Sequence, residues 1–476
     1  MKRMNKMRYL FAGLICWQTA LAQDGTATAN IVFNDLSDFK NAGANWTIAG
    51  DAACNFNQPN DIQAIAGKGC VVDKPDSKNN SHLITQKEFG DAEVELDFMM
   101  AKGSNSGIYL QGRYEVQLFD SWQKIHPTFS DCGGVYQRWD ESRSGDEKGY
   151  EGTAPLVNVS RAPGLWQHVK IRFRAPKFGA DGKKISNAVF EEVYLNGSLV
   201  QEETAVTGPT RASAFNDEKA LGPLMLQGDH GPVAFKNVQI RPLQSAMAPA
   251  KKRRSIDNPI VYTPSSNEPV LLRSFWQYGD TKLTHVISAG YPDQTNFAYN
   301  LKEGALLQVW RGPFLDVTDM WHERGEPQLA KPLGSAITFP NQPPVAVLTS
   351  NTAAWPDSVA FDDFNNKGYS LDKERNPTFK YNYNGINVMD KIFSANGAGL
   401  TREIKVDNPP AQLYCKIATA DNIQQLSKGL YAVSNKSYYL QIDEKYAPVI
   451  RQTAKGQEML VPVNAQNNTV SYSITW

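Results

Sequence analysis

The segment Asn105–Ser121, NSGIYLQGRYEVQLFDS, holds a dense set of side chains that could bind or transform a ligand. Side chains alternate between the two faces of a β-strand. One face then carries a tyrosine ring, two amides, a guanidinium and a carboxylate: Tyr109, Gln111, Arg113, Glu115 and Gln117. Sugars need this mixture, because flat apolar surfaces pack on their C–H faces while planar donors and acceptors pair with their hydroxyl groups. The composition favours a ligand-facing surface over an ordinary solvated one.

Carboxylates in the same segment invite a comparison with retaining glycosidases of sandwich fold, which often carry E-x-D-x-x-E on one strand. Here the three positions are Glu115, Gln117 and Asp120, so the central acid is missing. A spacing of five also places Glu115 and Asp120 on opposite faces unless a β-bulge intervenes. A retaining pair needs carboxyl groups about 5–5.5 Å apart, and the sequence does not indicate a copy of that arrangement.

A second cluster lies in the segment Leu224–Pro232, LMLQGDHGP, where Gln227, Asp229 and His230 follow a strand. An aspartate beside a histidine in a tight turn could orient the imidazole and raise its basicity. Asp229 could equally cap the turn by accepting backbone N–H groups. The sequence leaves both interpretations open.

A long connection, residues 121–165, separates these two clusters. Long ordered loops on sandwich folds often build the ligand site. Trp122 and Trp139 are candidate stacking platforms for a sugar ring, although a loop of this length also needs packing residues of its own.

The elements that must position these residues are strands. Short alternating segments punctuated by Gly, Pro and Asn run through the whole chain, whereas helical periodicity is nearly absent. Asp91–Met100 and Trp166–Arg174 are clear examples, and Asn196-Gly197 and Asn384-Gly385 predict hairpin turns. In Asn105–Ser121 the core face would be formed by Ile108, Leu110, Tyr114, Val116 and Leu118. The pattern predicts an all-β protein, a jelly-roll sandwich followed by a second β-sandwich.

Length and composition place limits on organisation and partners. The 476 residues exceed one typical domain, and a basic, proline-containing stretch at residues 244–259 predicts a linker. Domains are therefore expected at residues 31–243 and 260–476. Lys plus Arg and Asp plus Glu both number 49, so no net field attracts nucleic acid or anionic lipid. No apolar stretch is long enough for a transmembrane helix.

The N-terminus predicts export. Residues 1–22 combine basic residues, a short apolar stretch and the small-x-small site Ala20-Leu21-Ala22, as in a cleaved signal peptide. A secreted or periplasmic location permits disulfides. Cys54 and Cys70 are close in sequence and in turn-rich surroundings, so they are expected to form one, with Cys132 and Cys415 as free thiols.

Four segments resemble the 3-keto-disaccharide hydrolase family: Asn105–Ser121, Asp131–Tyr136 (DCGGVY), Trp166–Pro176 (WQHVKIRFRAP) and Gly222–Leu243 (GPLMLQGDHGPVAFKNVQIRPL). They agree with the family in order and spacing, over residues 31–243. The resemblance implies a concanavalin-like jelly roll and cleavage of the glycosidic bond in 3-keto glycosides, with an oligosaccharide or glycoside as the substrate. It implies no function for residues 260–476, which we expect to be an accessory carbohydrate-binding or docking sandwich.

The implied chemistry needs a base and an electrophile. A ketone at C3 acidifies the C2 proton, so a base can form an enolate and the C1 substituent can leave, with or without later hydration. Glu115 or His230 could be the base; Arg113, His230 or a bound divalent cation could hold the enolate; Asp120 could orient either group or bind a metal. The substrate-binding candidates are Tyr109, Gln111, Arg113, Gln117, Trp139, Gln227 and Asp229.

Two other functions compete with this hypothesis. The same fold serves lectin-like binding modules, since fold does not fix function. A binding module needs no shifted pKa at Glu115 or His230, whereas a base catalyst does. A structural surface-assembly protein would be favoured if the loop 121–165 filled the cleft. The sequence does not predict the oligomeric state.

Overall fold

A computed structural model describes residues 28–40, 42–243, 259–265, 267–321, 328–350 and 352–476. The predicted signal peptide at residues 1–22 lies outside the described residues, as does the predicted linker at 244–259 apart from Pro259. The described chain is almost entirely β-structure, which confirms the predicted fold class. Among these residues, no helix is both long and apolar enough to cross a lipid bilayer.

Strands in the N-terminal half, residues 28–243, are short and mostly antiparallel. They are β1 (Ala29–Ile31), β2 (Phe39–Lys40), β3 (Trp46–Cys54), β4 (Ile62–Asp73), β5 (Leu83–Phe89), β6 (Ala92–Met100), β7 (Asn105–Leu110), β8 (Tyr114–Phe119), β9 (Arg138–Trp139), β10 (Gly149–Tyr150), β11 (Trp166–Arg174), β12 (Lys177–Phe178), β13 (Lys184–Ser186), β14 (Ala188–Leu195), β15 (Ser198–Val206), β16 (Gly222–Leu226) and β17 (Val233–Pro242). A 3₁₀ helix spans Gly145–Lys148.

The C-terminal half, residues 259–476, has the same character. Its strands are β18 (Val261–Tyr262), β19 (Val270–Tyr278), β20 (Thr281–Gly290), β21 (Thr295–Asn300), β22 (Ala305–Arg311), β23 (Leu315–Asp316), β24 (Lys331–Pro332), β25 (Ser335–Thr338), β26 (Val345–Val347), β27 (Phe364–Leu371), β28 (Pro377–Tyr383), β29 (Ile386–Ser394), β30 (Leu400–Asp407), β31 (Leu413–Ala420), β32 (Ile423–Ser427), β33 (Leu430–Val433), β34 (Tyr438–Ile442), β35 (Val449–Thr453), β36 (Gly456–Val463) and β37 (Thr469–Thr475). Its helices are α1 (Thr318–Trp321) and the 3₁₀ turns Phe361–Asp363 and Glu444–Tyr446.

Two sheets of the N-terminal half enclose one core. The larger sheet has the order β15-β14-β11-β6-β17-β4-β3, with β1 beside β17, and the smaller sheet has the order β2-β5-β16-β7-β8. Both contribute fully buried side chains to a common cluster, for example Phe98 and Ile171 from the larger sheet and Ile108 and Val116 from the smaller. Alternation along each strand therefore sends one set of side chains into the sandwich and the other set outward. The candidate residues lie on the outward face of the smaller sheet.

The segment predicted as one alternating strand is a hairpin. Strand β7 ends at Leu110, the turn Gln111-Gly112-Arg113 follows, and β8 begins at Tyr114. Leu110 pairs with Tyr114 and Tyr109 with Glu115, and the register does not shift along the ladder. Gln111 and Gly112 both have a positive φ, which a tight turn requires. The apolar and polar residues of the two strands still separate onto the predicted faces, because paired residues share a face.

The predicted disulfide between Cys54 and Cys70 is wrong, because both are free thiols. Strands β3 and β4 pair so that Cys54 lies opposite Ile62 and Cys70 lies opposite Ala49. The two positions are five residues apart along β3, or roughly 16 Å at about 3.3 Å per residue, whereas a disulfide needs Cα atoms within about 7 Å. Burial raises the pKa of each thiol to about 12, so neither is a reactive thiolate at neutral pH. Cys132 and Cys415 are also free, as predicted.

Sheets of the C-terminal half form a second set, with orders β19-β20-β21-β22-β25, β26-β31-β36-β35 and β27-β28-β29-β30-β37-β34-β33-β32. Their buried side chains join in a core that includes Phe297, Phe379 and Val461. Asn196-Gly197 and Asn384-Gly385 both form the predicted hairpin turns, each with positive φ at both positions.

The two halves make direct polar and apolar contacts. The Lys436 ammonium, in the turn between β33 and β34, donates to the Ala52 carbonyl at 2.7 Å and to the Asp51 carboxylate. The Trp166 indole N–H donates to the other oxygen of Asp51 at 3.0 Å, and the Trp166 backbone N–H donates to the Lys436 carbonyl at 3.1 Å. The Tyr439 ring stacks on Phe56. Lys436 is 5% exposed and the side chain of Asp51 is 38% exposed, so a charge pair with one buried member and hydrogen-bonded partners holds the C-terminal half against the end of the jelly roll.

Candidate active site

Glu115 lies on the outward face of β8, the last strand in the order of the smaller sheet. It lies opposite Tyr109 in the β7–β8 ladder, and its carboxyl group rests over Gly107 of β7. A Cβ atom at position 107 would collide with Oε1 of Glu115, so the absence of a side chain there makes room for the carboxyl group. The side chains of Tyr109 and Glu115 are almost fully buried, at 1% and 2% exposure.

The environment of Glu115 favours its protonated form. Burial is the main cause that raises its pKa to about 8; a hydrogen bond with Tyr109 opposes the shift and the negative charge of Asp229 adds to it. Glu115 therefore carries a proton at neutral pH. It can donate a hydrogen bond or a proton, which an ionised carboxylate cannot do.

Asp229 and His230 form the second element of the site, in the turn after β16. The Asp229 Oδ1 and the His230 Nδ1 are 2.5 Å apart. Because a carboxylate can only accept, Nδ1 carries the proton and Nε2 keeps a free lone pair. The hydrogen bond to Asp229 outweighs burial and raises the pKa of His230. Burial alone would raise the pKa of Asp229, but the hydrogen bond and charge of His230 hold it below its usual range.

His230 is the accessible member of this group. Its side chain is 48% exposed and that of Asp229 is 28% exposed, whereas Glu115 lies deeper on the sheet. Asp229 connects the two, since its charge raises the pKa of Glu115 and takes part in raising that of Tyr109. The arrangement combines an exposed, oriented imidazole with a buried, neutral carboxyl group.

Gln227 borders the same group. Its Nε2 lies 3.2 Å from the His230 Nδ1, and its backbone N–H donates to the Gly107 carbonyl at 3.0 Å. Its Oε1 is buried and has no hydrogen-bond partner among the described residues. A buried acceptor without a partner is uncommon. With the proton of His230 on Nδ1, the two facing nitrogens are both donors and do not bond to each other, so the Gln227 amide is a candidate to bind a ligand hydroxyl group.

Three residues that sequence reasoning missed hold the Asp229 turn in place. Nδ2 of Asn45 donates to the Gly228 carbonyl at 3.1 Å and to Oδ1 of Asp73 at 2.7 Å. The Gly228 N–H donates to Nδ1 of His82 at 3.2 Å. Both backbone polar groups of Gly228 are thus bonded to side chains. A Cβ at position 228 would collide with the Trp46 ring, so only glycine fits there.

Replacing Asn45 with alanine is expected to destabilise the protein and to loosen the Asp229 turn. The substitution leaves the Gly228 carbonyl and the Asp73 carboxyl group without their donor, at a cost of about 1–3 kcal/mol for a buried unpaired group. Urea unfolding measures the loss, and NMR titration of His230 should show its pKa moving back toward about 6.5. The result would be contradicted if unfolding and titration both matched the unmodified protein. Asn57→Ala, in an exposed turn, is a suitable control.

Gln111 and Arg113 lie in the turn of the hairpin and bind other parts of the protein. The Gln111 amide donates to the carbonyls of Phe89 and Ala220. The Arg113 guanidinium donates to the Asp217 backbone carbonyl and carboxylate, both at 2.5 Å. Both side chains are buried, so they anchor the segment after β15 rather than facing a ligand. Arg113 is therefore a poor candidate for holding an enolate.

Asp120 and Gln117 are also occupied. The Asp120 carboxylate accepts backbone N–H groups from Gly103 at 2.8 Å and Trp122 at 3.4 Å. No bulge interrupts β8, so Asp120 is not turned toward Glu115. Gln117 shares the face of Glu115, but its amide donates to Oδ1 of Asn105 and to a backbone carbonyl of the loop 121–165. We assign both residues to packing of that loop.

Trp139 lies in the loop 121–165, as predicted, and one face of its ring is occupied. The Arg211 guanidinium lies 3.8 Å from the ring centroid, and the indole N–H donates to Glu141 at 2.7 Å. The Arg211 charge is close enough to His230 to oppose the rise of its pKa, and the Arg211 carbonyl accepts from the Tyr109 hydroxyl at 3.2 Å. Arg211 is thus a cation beside the imidazole that the sequence did not single out.

A divalent cation in the same region could also hold an enolate. The described residues contain no group of three or more His, Cys, Asp or Glu side chains placed to hold a metal ion. The electrophiles that the described site offers are the Glu115 carboxyl group and the Arg211 guanidinium.

Fold and site together define a β-sandwich that carries a candidate acid–base pair on the outward face of its smaller sheet. Residues 29–241 match the family model described as the 3-keto-alpha-glucoside-1,2-lyase-like domain, which confirms the resemblance seen in the sequence of this half of the chain. No curated protein matches the chain.

Three similar solved structures each cover less than half of the chain. A protein of Parabacteroides distasonis, provisionally described as a glycosyl hydrolase, is 24% identical over 45% of this chain and 84% of its own, with a TM-score of 0.29. A second such protein from that organism is 20% identical over 42% and 99%, with a TM-score of 0.27. A carbohydrate-binding module, CBM66 of Bacillus subtilis, is 11% identical over 43% and 99%, with a TM-score of 0.21. At these values the likeness carries no argument about function.

Proposed function

We propose that the N-terminal half cleaves the glycosidic bond of 3-keto glycosides by elimination across C1 and C2. The observation that carries the proposal is the pairing of two groups in opposite states: an imidazole with a free Nε2 and a buried carboxyl group that keeps its proton. Pairs of titratable groups whose surroundings push their pKa values apart are typical of acid–base sites. The family description, a 1,2-lyase acting on 3-keto-alpha-glucosides, supports elimination over direct hydrolysis.

His230 serves as the base and Glu115 as the acid. His230 Nε2 takes the C2 proton, and the electrons of the C2–H bond form an enolate with the oxygen at C3. The enolate then collapses, the C1–O bond breaks, and a C1=C2 double bond conjugated with the ketone remains. Glu115 gives its proton to the departing oxygen. Asp229 stabilises the imidazolium, as a carboxylate does for a catalytic histidine.

Enolate stabilisation comes from the cation beside the imidazole. Arg211 lies within electrostatic reach of His230, and a fixed positive charge placed where negative charge develops lowers the barrier. Substrate hydroxyl groups are bound by Gln227, whose carbonyl oxygen lacks a partner within the described residues, and by Tyr109. We place this activity outside the cytoplasm, on the strength of the predicted signal peptide.

The test is cleavage of a 3-keto disaccharide by the chain from Gln23 onward, with the unoxidised parent disaccharide as the matched substrate. Only the keto sugar should release its aglycone, and an absorbing unsaturated ketone should form at the same rate. The His230→Ala variant should lose about 10²–10⁴-fold in rate, as expected for removal of a general base.

Different results would point to different functions. Equal cleavage of both sugars would contradict elimination, because the unoxidised sugar has no acidic C2 proton. Saturable binding of the keto sugar without cleavage would leave a lectin-like module, which is the alternative that the same fold allows.

A further inference from the structure

A cleft in the C-terminal half lies on the outer face of the sheet β26-β31-β36-β35. Its volume is about 590 Å³, and the segment around Trp355 and the turn between β35 and β36 form its walls. Ligand sites commonly fall within about 300–1,000 Å³. The opposite face of this sheet packs into the core through Met459 and Val461, so the cleft is separate from the site at His230.

A row of polar side chains crosses the floor of the cleft. Thr419, Glu458 and Arg451 lie on three adjacent strands and are direct cross-strand partners. Arg451 donates to Oε2 of Glu458 through Nε at 2.9 Å and Nη2 at 2.6 Å. Lys416 approaches the other oxygen of Glu458 at 3.3 Å.

Every charged side chain that lines the cleft has an oppositely charged partner. Arg451 pairs with Glu458 on the floor, and Lys455 pairs with Asp357 at the exposed rim at 3.1 Å. A ligand with a net charge would have to compete with one of these partners. A neutral ligand rich in hydroxyl groups would not, because each hydroxyl both donates and accepts and a carboxylate oxygen can accept a second hydrogen bond.

Two further observations point to a polyhydroxylated ligand. Oγ1 of Thr419 is buried in the described structure without a hydrogen-bond partner, on a residue that lines the cleft. Pro340, Ala353, Ala354 and Trp355 supply an apolar wall beside the polar floor. Apolar surface for C–H groups next to paired donors and acceptors is the combination that a sugar ring requires.

We propose that this cleft is a second saccharide-binding site, specific for neutral sugars and independent of the catalytic site. The choice of a sugar over other neutral ligands rests in part on the proposed carbohydrate chemistry of the N-terminal half. The cleft holds the unoxidised glycan while the N-terminal half acts on keto sugars. Binding there therefore does not require His230 or Glu115.

The experiment is isothermal titration calorimetry, which measures the affinity of the chain from Gln23 onward for maltose, trehalose and sucrose. All three are neutral alpha-glucosides. Ala354→Trp and Ala454→Trp each add a bulky ring to an exposed alanine of the cleft wall without removing a polar partner. Both should weaken binding about tenfold or more, while cleavage of the 3-keto disaccharide stays unchanged. Ala411→Trp, at another exposed alanine of the same half, is the control and should bind normally. His230→Ala should also bind normally.

Failure of this proposal is distinguishable from failure of the proposed function. No binding of any of the three sugars, or binding undiminished in both cleft variants, would overturn the second site and leave cleavage of the keto sugar untouched. Binding lost in His230→Ala would place it at the N-terminal site instead and overturn the proposal as well. Loss in the cleft variants alone, with Ala411→Trp unaffected, would support it even if no keto sugar were cleaved.

Discussion

Replacement of Glu115 with glutamine is expected to lower kcat/KM for a 3-keto disaccharide by about 10²–10⁴-fold, the range for loss of a general acid or base. Glutamine fills the same space over Gly107 and still donates a hydrogen bond, but it cannot give up a proton. If Glu115 only bonded to the enolate oxygen, glutamine would replace it with a small loss. A large loss in the glutamine variant therefore identifies proton transfer.

Two comparisons make this result decisive. Glu115→Ala should be as inactive as Glu115→Gln, whereas Glu88→Gln, on strand β5 of the same sheet and separated from β8 by β16 and β7, should keep full activity. Thermal unfolding at pH 6 should show that the glutamine variant is folded, since a neutral amide replaces a neutral acid. Near-normal turnover by Glu115→Gln would rule out the assigned role.

The same two groups predict a narrow pH range. Catalysis needs His230 without its extra proton and Glu115 with its proton. The rate should therefore rise above pH 6.5, because the Asp229 hydrogen bond raises the pKa of His230. It should fall again near pH 8, where Glu115 ionises. In the residual activity of Glu115→Gln the alkaline decline should disappear while the acid limb remains.

The sequence correctly predicted which residues share a sheet face, although it wrongly predicted one strand where the structure has a hairpin. Residues 105–119 form a hairpin with a three-residue turn, and each paired position joins residues of the same parity, such as Tyr109 with Glu115. Odd-numbered residues therefore share a face whether the segment is one strand or two. Parity fails at Gln111 and Arg113, because the turn directs their side chains into contacts with other segments.

The sequence could not predict the contacts around the Asp229 turn, because they depend on pairing between strands that are far apart in the chain. Asn45 meets Gly228 across 183 positions of the chain, and nothing in the local pattern around either residue predicts this contact. Asp73 reaches the site because β4 pairs with β17 beside the turn that carries Asp229. The error about the disulfide has the same origin. Cys54 and Cys70 are close in sequence, but the register of β3 and β4 places them far apart along the ladder.

The second large effect is expected at Asp73, whose contribution to the free energy of unfolding depends on pH. Its side chain is fully buried, Asn45 donates to Oδ1 at 2.7 Å, and Oδ2 has no partner in the described structure. Burial raises its pKa to about 8 from an ordinary value of 3.8, with the Asn45 bond opposing the shift and the Asp229 charge adding to it. Between these two values the folded protein keeps a proton that the unfolded chain releases. The free energy of unfolding therefore falls as pH rises from about 4 to about 8.

Asp73→Asn should remove this penalty, because asparagine is neutral at every pH and keeps an oxygen for the Asn45 bond. Urea unfolding should show a gain of about 2–4 kcal/mol at pH 8.5, shrinking toward zero at pH 4.5. Cleavage at pH 6.5 should be preserved, since the native acid is already neutral there. A variant less stable at pH 8.5, or a difference that does not change with pH, would contradict the assignment of a neutral Asp73.

Asp131→Asn is the matched control, because that buried carboxylate has the opposite electrostatic environment. Burial alone would raise its pKa, but Lys124 at 2.8 Å and the backbone and hydroxyl donors of Thr128 and Ser121 hold it below its usual range. Asp131 therefore stabilises the fold above about pH 4 and loses that contribution as pH falls through its folded pKa. The asparagine variant should be less stable by about 1–3 kcal/mol at pH 8.5. Asp73→Asn and Asp131→Asn should therefore change the free energy of unfolding at pH 8.5 in opposite directions. That result would show that the partners of each buried aspartate, rather than burial alone, set its charge.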